Sequence, residues 1–381
     1  MSIVTKNFQA LRCVPNGRNG LLLVLSIVSI AVCSCAAHTE PPTALKSQSG
    51  WKTDSKRPLI QAGDMLDGGL WNDPCVLKEG GRYIMYMTSS VDEPFQPPVL
   101  PFRATSKDGT NWKLNPKTPL LDPAGTPFVS LETPSVVRFR GAYHMFFTGI
   151  YPPGHMPPMA IGHAVSKDGI SWQTDKEPVI TATGTPRDWN GYLVGEPGAV
   201  VHNGRISLYF TAIGERPGGQ PPQLQTIALA TTLDGRTFSE AKRVLGQSSL
   251  YRPEQGYVGY STPSAYVFDK KIHLFFDVAH YQKGAEREWS QVALHHAVSP
   301  DGETNFVQDS APIFVRNSFE WTRGEIRSPC VLLENNTLKL WFAGNVAVSD
   351  LAPLIRRGMK GKEFAIGFAS IDWQSFLEST R

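Results

Sequence analysis

The sequence predicts an all-β protein, a five-bladed β-propeller with four antiparallel strands per blade. Three observations predict it: an excess of Gly and Pro, a unit of 60 to 66 residues that occurs five times, and an Asp-Gly pair in four of those units. The 381 residues include 34 Gly and 30 Pro, which is typical of many short strands joined by tight turns. The hydrophobic share of 41% excludes a disordered or collagenous chain.

The first residues are predicted to be an export signal rather than part of the fold. Three basic residues precede an apolar run over residues 21–32, which is too short to cross a bilayer as a helix. The end of this run resembles the bacterial lipobox, because Val32 stands three positions before Cys35 and Ser34 stands directly before it. The resemblance implies cleavage before Cys35 and a lipid on its thiol. Residues 1–34 are then a lipoprotein signal peptide, residues 35–50 a tether and residues 51–381 the propeller domain. We expect an exported protein anchored at the outer membrane or cell surface.

The charge balance of the mature chain excludes one class of partner. The net charge of +3 equals the three basic residues of the signal, and the remainder holds 34 basic and 34 acidic residues. Such a balance lacks the basic excess of a nucleic-acid-binding protein. We expect a monomer that meets the membrane only through its lipid.

Each repeat unit opens at a proline, and the five are Pro74, Pro134, Pro197, Pro263 and Pro329. A strand-like run, a turn and a second run that contains an aromatic residue follow each proline, which predicts a β-hairpin. Later in the first four units an Asp-Gly pair predicts a second hairpin. Its aspartates are therefore predicted to be turn residues rather than catalysts: Asp108, Asp168, Asp234 and Asp301.

The residues just before these prolines differ between units, although a purely structural repeat would keep them similar. The junctions read WNDP, LETP, VGEP, YSTP and IRSP, with acids at Asp73, Glu132 and Glu196. The first strand of a propeller blade begins at one mouth of the central channel, so we expect these carboxylates to converge there. Two facing carboxylates are what glycoside hydrolysis requires. The alternative is that the acids cap strands or bind Arg side chains.

The repeat and its junctions resemble the five-bladed glycoside hydrolases of families 32, 43, 62, 68 and 130. The motifs are nearest to families 32 and 68, whose first three blades carry WMNDPNG, RDP and ECP. The resemblance implies that Asp73 is the nucleophile and Glu196 the acid/base, acting on furanosides or related glycosidic bonds. Glu132 is the third catalytic candidate, although Leu-Glu-Thr-Pro replaces the expected Arg-Asp-Pro. Family 43 is the runner-up, since its blade-four acid has no counterpart before Pro263.

Four further side chains flank the junctions and are candidates for binding a sugar ring: Trp71, Asn72, Tyr260 and Arg327. Core packing is an equal alternative for the first three, and Arg327 is expected to pair with Glu132 or with substrate. Glu325 lies two residues further out and is interpreted as a loop charge.

Cys75 and Cys330 directly follow the junction prolines of units one and five. We expect two buried thiols, with a disulfide as the alternative because unit five would close against unit one. The predicted chemistry needs no cofactor and no metal. The function is predicted to be that of a glycosidase acting on poly- or oligosaccharides, and the alternative is a non-catalytic, glycan-binding lipoprotein.

Overall fold

The computed structural model describes residues 49–61, 63–66, 70–90, 98–185, 188–214, 224–285, 288–345 and 364–379. The predicted signal peptide, Cys35 and most of the tether lie outside the described residues. Nearly all regular structure is β-strand, so the predicted all-β class is confirmed. Across these ranges, no helix has both the length and the apolar character needed to cross a membrane.

A short strand, β1 (Lys52–Thr53), precedes five antiparallel units, and the first strand of each unit contains the junction proline. Unit one comprises β2 (Asn72–Glu79), β3 (Arg82–Ser90), β4 (Val99–Ser106) and β5 (Lys113–Leu114). Unit two comprises β6 (Ser130–Phe139), β7 (Ala142–Ile150), β8 (Met159–Ser166), β9 (Trp172–Thr174) and β10 (Ile180–Thr181). Unit three comprises β11 (Leu193–His202), β12 (Arg205–Ile213), β13 (Gln225–Thr232) and β14 (Lys242–Leu245).

A 3₁₀ helix (Pro253–Gln255) leads into unit four, which comprises β15 (Tyr257–Phe268), β16 (Lys271–Tyr281), β17 (Trp289–Ser299), β18 (Val307–Gln308) and β19 (Phe314–Val315). Unit five comprises β20 (Glu325–Glu334), β21 (Thr337–Asn345) and β22 (Phe364–Asp372), and α1 (Trp373–Ser379) follows.

The Asp-Gly pairs form the turns that the sequence predicts. Asp108 Oδ1 accepts the N–H groups of Thr110 and Asn111, both at 2.8 Å, and Gly109 takes a φ of +81° that side chains disfavour. The other three aspartates bind their turns in the same way. The interpretation of these aspartates as turn residues is confirmed.

The last unit is completed by the start of the chain. Strand β1 pairs antiparallel with β22, so that Lys52 lies opposite Ser370. After β22 the chain turns into α1, which buries Trp373 and Phe376, and β1 takes the edge of β22.

The first strands of the five units contact one another in chain order, and β20 in turn contacts β2. Units one, two and five form separate sheets, whereas one parallel pair, Gln225 with Gly259, joins units three and four. Between units the core is largely apolar. Trp341 of unit five, for example, packs against Tyr83 and Trp112 of unit one, with ring centroids 6.2 Å and 6.4 Å apart. The circuit of first strands brings all five proline junctions together.

The two cysteines of this circuit are unbridged, as expected. Cys330 Sγ accepts the N–H of Val76 at 3.1 Å, and Cys75 Sγ accepts that of Val136 at 3.3 Å. Burial raises the pKa of Cys75 to about 11, so this thiol stays protonated and acts as a small link between neighbouring first strands.

Candidate active site

A β-bulge interrupts every first strand at its proline junction, where the pairing register shifts. The residue directly before each proline has a positive φ: Asp73 51°, Thr133 54°, Glu196 52°, Thr262 44° and Ser328 50°. This left-handed conformation is rare for residues other than glycine and costs about 1–3 kcal/mol each. Bulges re-aim side chains and persist where surrounding contacts hold them. All five junctions therefore share one strained backbone conformation, and Asp73 and Glu196 occupy the same position within it.

Side-chain oxygens of the preceding unit hold these bulges. Glu196 N donates to Thr148 Oγ1 at 2.7 Å, and Thr133 N donates to Thr88 Oγ1 at 2.9 Å. Each acceptor stands fourteen residues after its own proline, on the second strand of its unit. We call this contact the junction latch. It ties the backbone of each candidate position to the neighbouring sheet.

Asp73 lies on β2 and is 4% exposed. Its Oδ1 accepts the hydroxyl of Ser328 at 2.6 Å, and its Oδ2 accepts that of Thr133 at 3.5 Å. Both donors occupy the pre-proline position of a neighbouring unit. These two hydroxyls fix the orientation of the carboxylate.

Glu196 lies on β11 and is 9% exposed. Its Oε2 accepts the hydroxyl of Thr211 at 2.8 Å and the N–H of Thr262 at 3.4 Å. Its Oε1 accepts from Arg327 Nη2 at 3.2 Å. Glu196 therefore takes part in a buried ion pair as well as in hydrogen bonds to two units.

Glu132 lies on β6 one position earlier in the repeat and is 8% exposed. Burial raises its pKa, and the carboxylates of Asp73 and Glu196 raise it further, while Arg327 lowers it. The next residue, Thr133, donates its hydroxyl to Asp73 Oδ2 at 3.5 Å, which places Glu132 beside the Asp73 junction. The structure thus brings Asp73, Glu132 and Glu196 together.

Arg327 is the cation of this cluster and is 5% exposed. It pairs with Glu196 rather than with Glu132. Burial opposes its charge, but the carboxylates of Asp73 and Glu196 raise its pKa. Arg327 therefore remains charged and offsets part of the negative charge of the acids around it.

A fourth acid, Asp277, lies in the same cluster and was not singled out by the sequence. It is fully buried on β16, where its carboxylate accepts from the hydroxyls of Ser261 and Thr262 and from Ser328 N, the last at 3.1 Å. The sequence does distinguish this residue. Its position on the second strand of a unit is occupied by Thr in units one to three and by Asp only in unit four.

The other predicted site residues take different places. Trp71 is fully buried, its Nε1 donates to Asp64 O at 2.8 Å, and its ring packs edge-on against Phe102. Tyr260 is also fully buried, with its hydroxyl bonded to Ser248 and Gln308 at 2.8 Å and 2.9 Å. Both positions indicate support beneath the cluster rather than direct contact with a sugar.

Asn72 is different, because it is 3% exposed and its Oδ1 lacks a hydrogen-bond partner among the described residues. A buried acceptor without a partner is costly unless a ligand or water satisfies it. Asn72 therefore remains a candidate for binding a sugar hydroxyl.

The interpretation of Glu325 as a loop charge is wrong. Glu325 begins β20 and is 4% exposed, and its Oε2 accepts from Asn345 Nδ2 at 3.2 Å. The strand starts earlier than the proline pattern suggested, because Glu325 pairs in register with Asn345.

Two cavities of about 460 Å³ and 650 Å³ lie elsewhere and contain none of the clustered acids. In the described ranges no group of three or more His, Cys, Asp or Glu residues is arranged to hold a metal ion. The junctions themselves bring together carboxylates, hydroxyl donors and one guanidinium.

Comparison with known proteins gives matches in sequence and in fold. The glycosyl hydrolases family 32 N-terminal domain matches residues 132–255. Sucrose-6-phosphate hydrolase of Escherichia coli is 31% identical over 34% of this chain and 26% of its own length. Raffinose invertase of Escherichia coli is 26% identical over 58% of this chain and 45% of its own length. The chain thus spans less than half the length of these two relatives.

Among solved structures, a thermostable family-43 glycoside hydrolase has the same fold, with a TM-score of 0.59 at 14% identity over 81% of this chain and 91% of that one. The predicted resemblance to the propeller glycoside hydrolases is confirmed.

Proposed function

We propose that this protein is a glycoside hydrolase that cleaves furanoside or related glycosidic bonds in poly- or oligosaccharides. One observation carries the proposal: Asp73 and Glu196 occupy equivalent strained bulges of two units, and Glu132 lies within electrostatic reach of both. The family 32 match over residues 132–255 and the relatives that act on sucrose 6-phosphate and raffinose support a furanoside substrate.

The architecture behind this proposal is a five-bladed propeller with the reaction at its axis. The circuit of contacts among β2, β6, β11, β15 and β20 supports five blades. Each blade would then have four strand positions, and β1 fills the fourth position of the fifth blade. The junction bulges then face one channel, as the repeat predicts.

In the proposed reaction, Asp73 attacks the anomeric carbon or activates water, and Glu196 gives a proton to the leaving oxygen. Ser328 and Thr133 hold the Asp73 carboxylate in place. Acid catalysis requires a proton on Glu196, so its ion pair with Arg327 must open when substrate binds. Arg327 is then free to bind a sugar hydroxyl, and Asn72 Oδ1 gains a donor.

The reaction needs no cofactor. The export signal places the enzyme, in this proposal, on a membrane through a lipid on Cys35, with the substrate outside the cell.

Turnover by the purified protein on sucrose, raffinose, fructans, aryl furanosides and arabinoxylan oligosaccharides tests the proposal, with Asp73→Asn as the matched negative control. We expect release of sugar from at least one substrate by the wild type and none by the variant. Binding of these glycans without any release would instead support the non-catalytic alternative.

A further inference from the structure

The junction latch has one unusual member. Its acceptor is Thr88, Thr148 or Thr211 in the first three units, and Asp277 in the fourth. A neutral hydroxyl is therefore sufficient to hold the next bulge. The carboxylate of Asp277 adds a second oxygen and a titratable charge that the latch does not require.

The Asp277 carboxylate contacts the bulges of two units, its own and the next. Asp277 accepts the hydroxyls of Ser261 and Thr262 in its own unit, and the N–H of Ser328 in the next. Thr262 N in turn faces Glu196 Oε2 at 3.4 Å. The Ser328 hydroxyl donates to Asp73 Oδ1 at 2.6 Å. One buried carboxylate therefore lies between the two residues that hold the proposed catalytic pair.

We propose that Asp277 is a positioning residue that fixes Asp73 and Glu196 relative to each other through Ser328 and Thr262. The proposal rests on the proposed function. Asp277 is fully buried, so it acts through these neighbours and not on the substrate. Positioning of this kind matters because a displacement of about 1 Å at a catalytic group lowers the rate by about 100-fold.

The charged groups that face Asp277 are Glu196 on β11 and Arg327 on β20. Burial raises the pKa of Asp277 to about 7, and Glu196 raises it while Arg327 and the two hydroxyls lower it. An ionised carboxylate accepts hydrogen bonds only, whereas the protonated form must donate one. Three donors surround Asp277, so the ionised form fits the arrangement, and positioning should weaken as the pH falls below about 7.

Asp277→Thr is the main test, because Thr occupies the equivalent position in three other units and keeps the latch. Using the panel substrate that the wild type cleaves, we expect kcat to fall about ten- to 100-fold while KM changes less than about twofold. The pH profile of kcat should also lose the ionisation near 7. Asp277→Asn should behave similarly, since its amide presents N–H groups to donors.

Asp309→Asn is the matched control, because Asp309 is also a hydrogen-bonded carboxylate of unit four but accepts from His296 Nδ1, away from the cluster. Its kcat should equal that of the wild type. An Asp277→Thr enzyme with wild-type kcat and pH profile would overturn the positioning role and leave the proposed function standing. Failure of Asp277→Thr to fold would also overturn it, since the carboxylate would then serve the fold. An inactive wild type would overturn the proposed function and this role with it.

Discussion

Replacing Thr148 by Val removes one hydroxyl from the latch that holds Glu196 and leaves the side-chain volume almost unchanged. Thr148 is 3% exposed, and its Oγ1 accepts Glu196 N at 2.7 Å. Without it, a buried N–H loses its partner in a backbone already strained at φ 52°. An unpaired buried donor costs about 1–3 kcal/mol. At about 2.1 cal/mol/K of unfolding entropy per residue, that loss lowers the thermal midpoint of a domain of this size by about 1–4 °C.

The same change should affect catalysis more than stability, since it releases the backbone that aims Glu196. We expect kcat to fall about ten- to 100-fold on the cleaved substrate. Thr226→Val is the control, because Thr226 is equally buried but its hydroxyl makes only a 3.4 Å bond to Ala212 O. Calorimetry and steady-state kinetics on both variants decide the matter. A Thr148→Val protein with the expected loss of stability and wild-type kcat would refute the idea that the latch aims Glu196.

Three other predictions concern the acids, the histidines and the anchor. Asp73→Asn should lower turnover at least about 1000-fold with an unchanged thermal midpoint, because Oδ1 still accepts from Ser328. Glu196→Gln should also lower turnover, but less severely on aryl glycosides, whose leaving groups need no proton. Equal losses of turnover on all substrates would argue against an acid role for Glu196. Burial lowers the pKa of His163 to about 4 and those of His273 and His295 to about 3, so the unfolded chain binds more protons below pH 6.5. The stability that these neutral rings contribute is present above about pH 6.5 and should be lost as the pH falls towards 4. A thermal midpoint that stays constant from about pH 7 to about pH 5 would contradict this prediction. Cys35→Ala should release the protein from membranes, and retention through a carbonate wash would exclude lipidation at Cys35.

The sequence predicted the repeat and the acids of the site because both follow from periodic position. Spacing aligned Asp73 with Glu196, and the structure gives both residues the same bulge. Asp277 could not be predicted from the junction residues, because it stands fourteen residues after Pro263 rather than directly before it.

Packing, in contrast, is not encoded in spacing. Trp71 and Tyr260 flank the junctions in sequence, but side chains alternate between faces of a strand and both turn into the core. The pairing of Arg327 with Glu196 joins units three and five. No local pattern reveals such a contact, because it depends on how the sheets meet.

The pairing of β1 with β22 has a consequence for how the protein folds. It joins segments more than three hundred residues apart in the chain, and contacts so distant in sequence form slowly because a long loop must close first. The fifth unit cannot be completed until the last strand has been synthesised, whereas the middle units depend on local hairpins that form early. Unit five should therefore be the last part to become protected from hydrogen exchange during refolding, with the edge of β22 the segment most exposed to wrong pairing until β1 arrives.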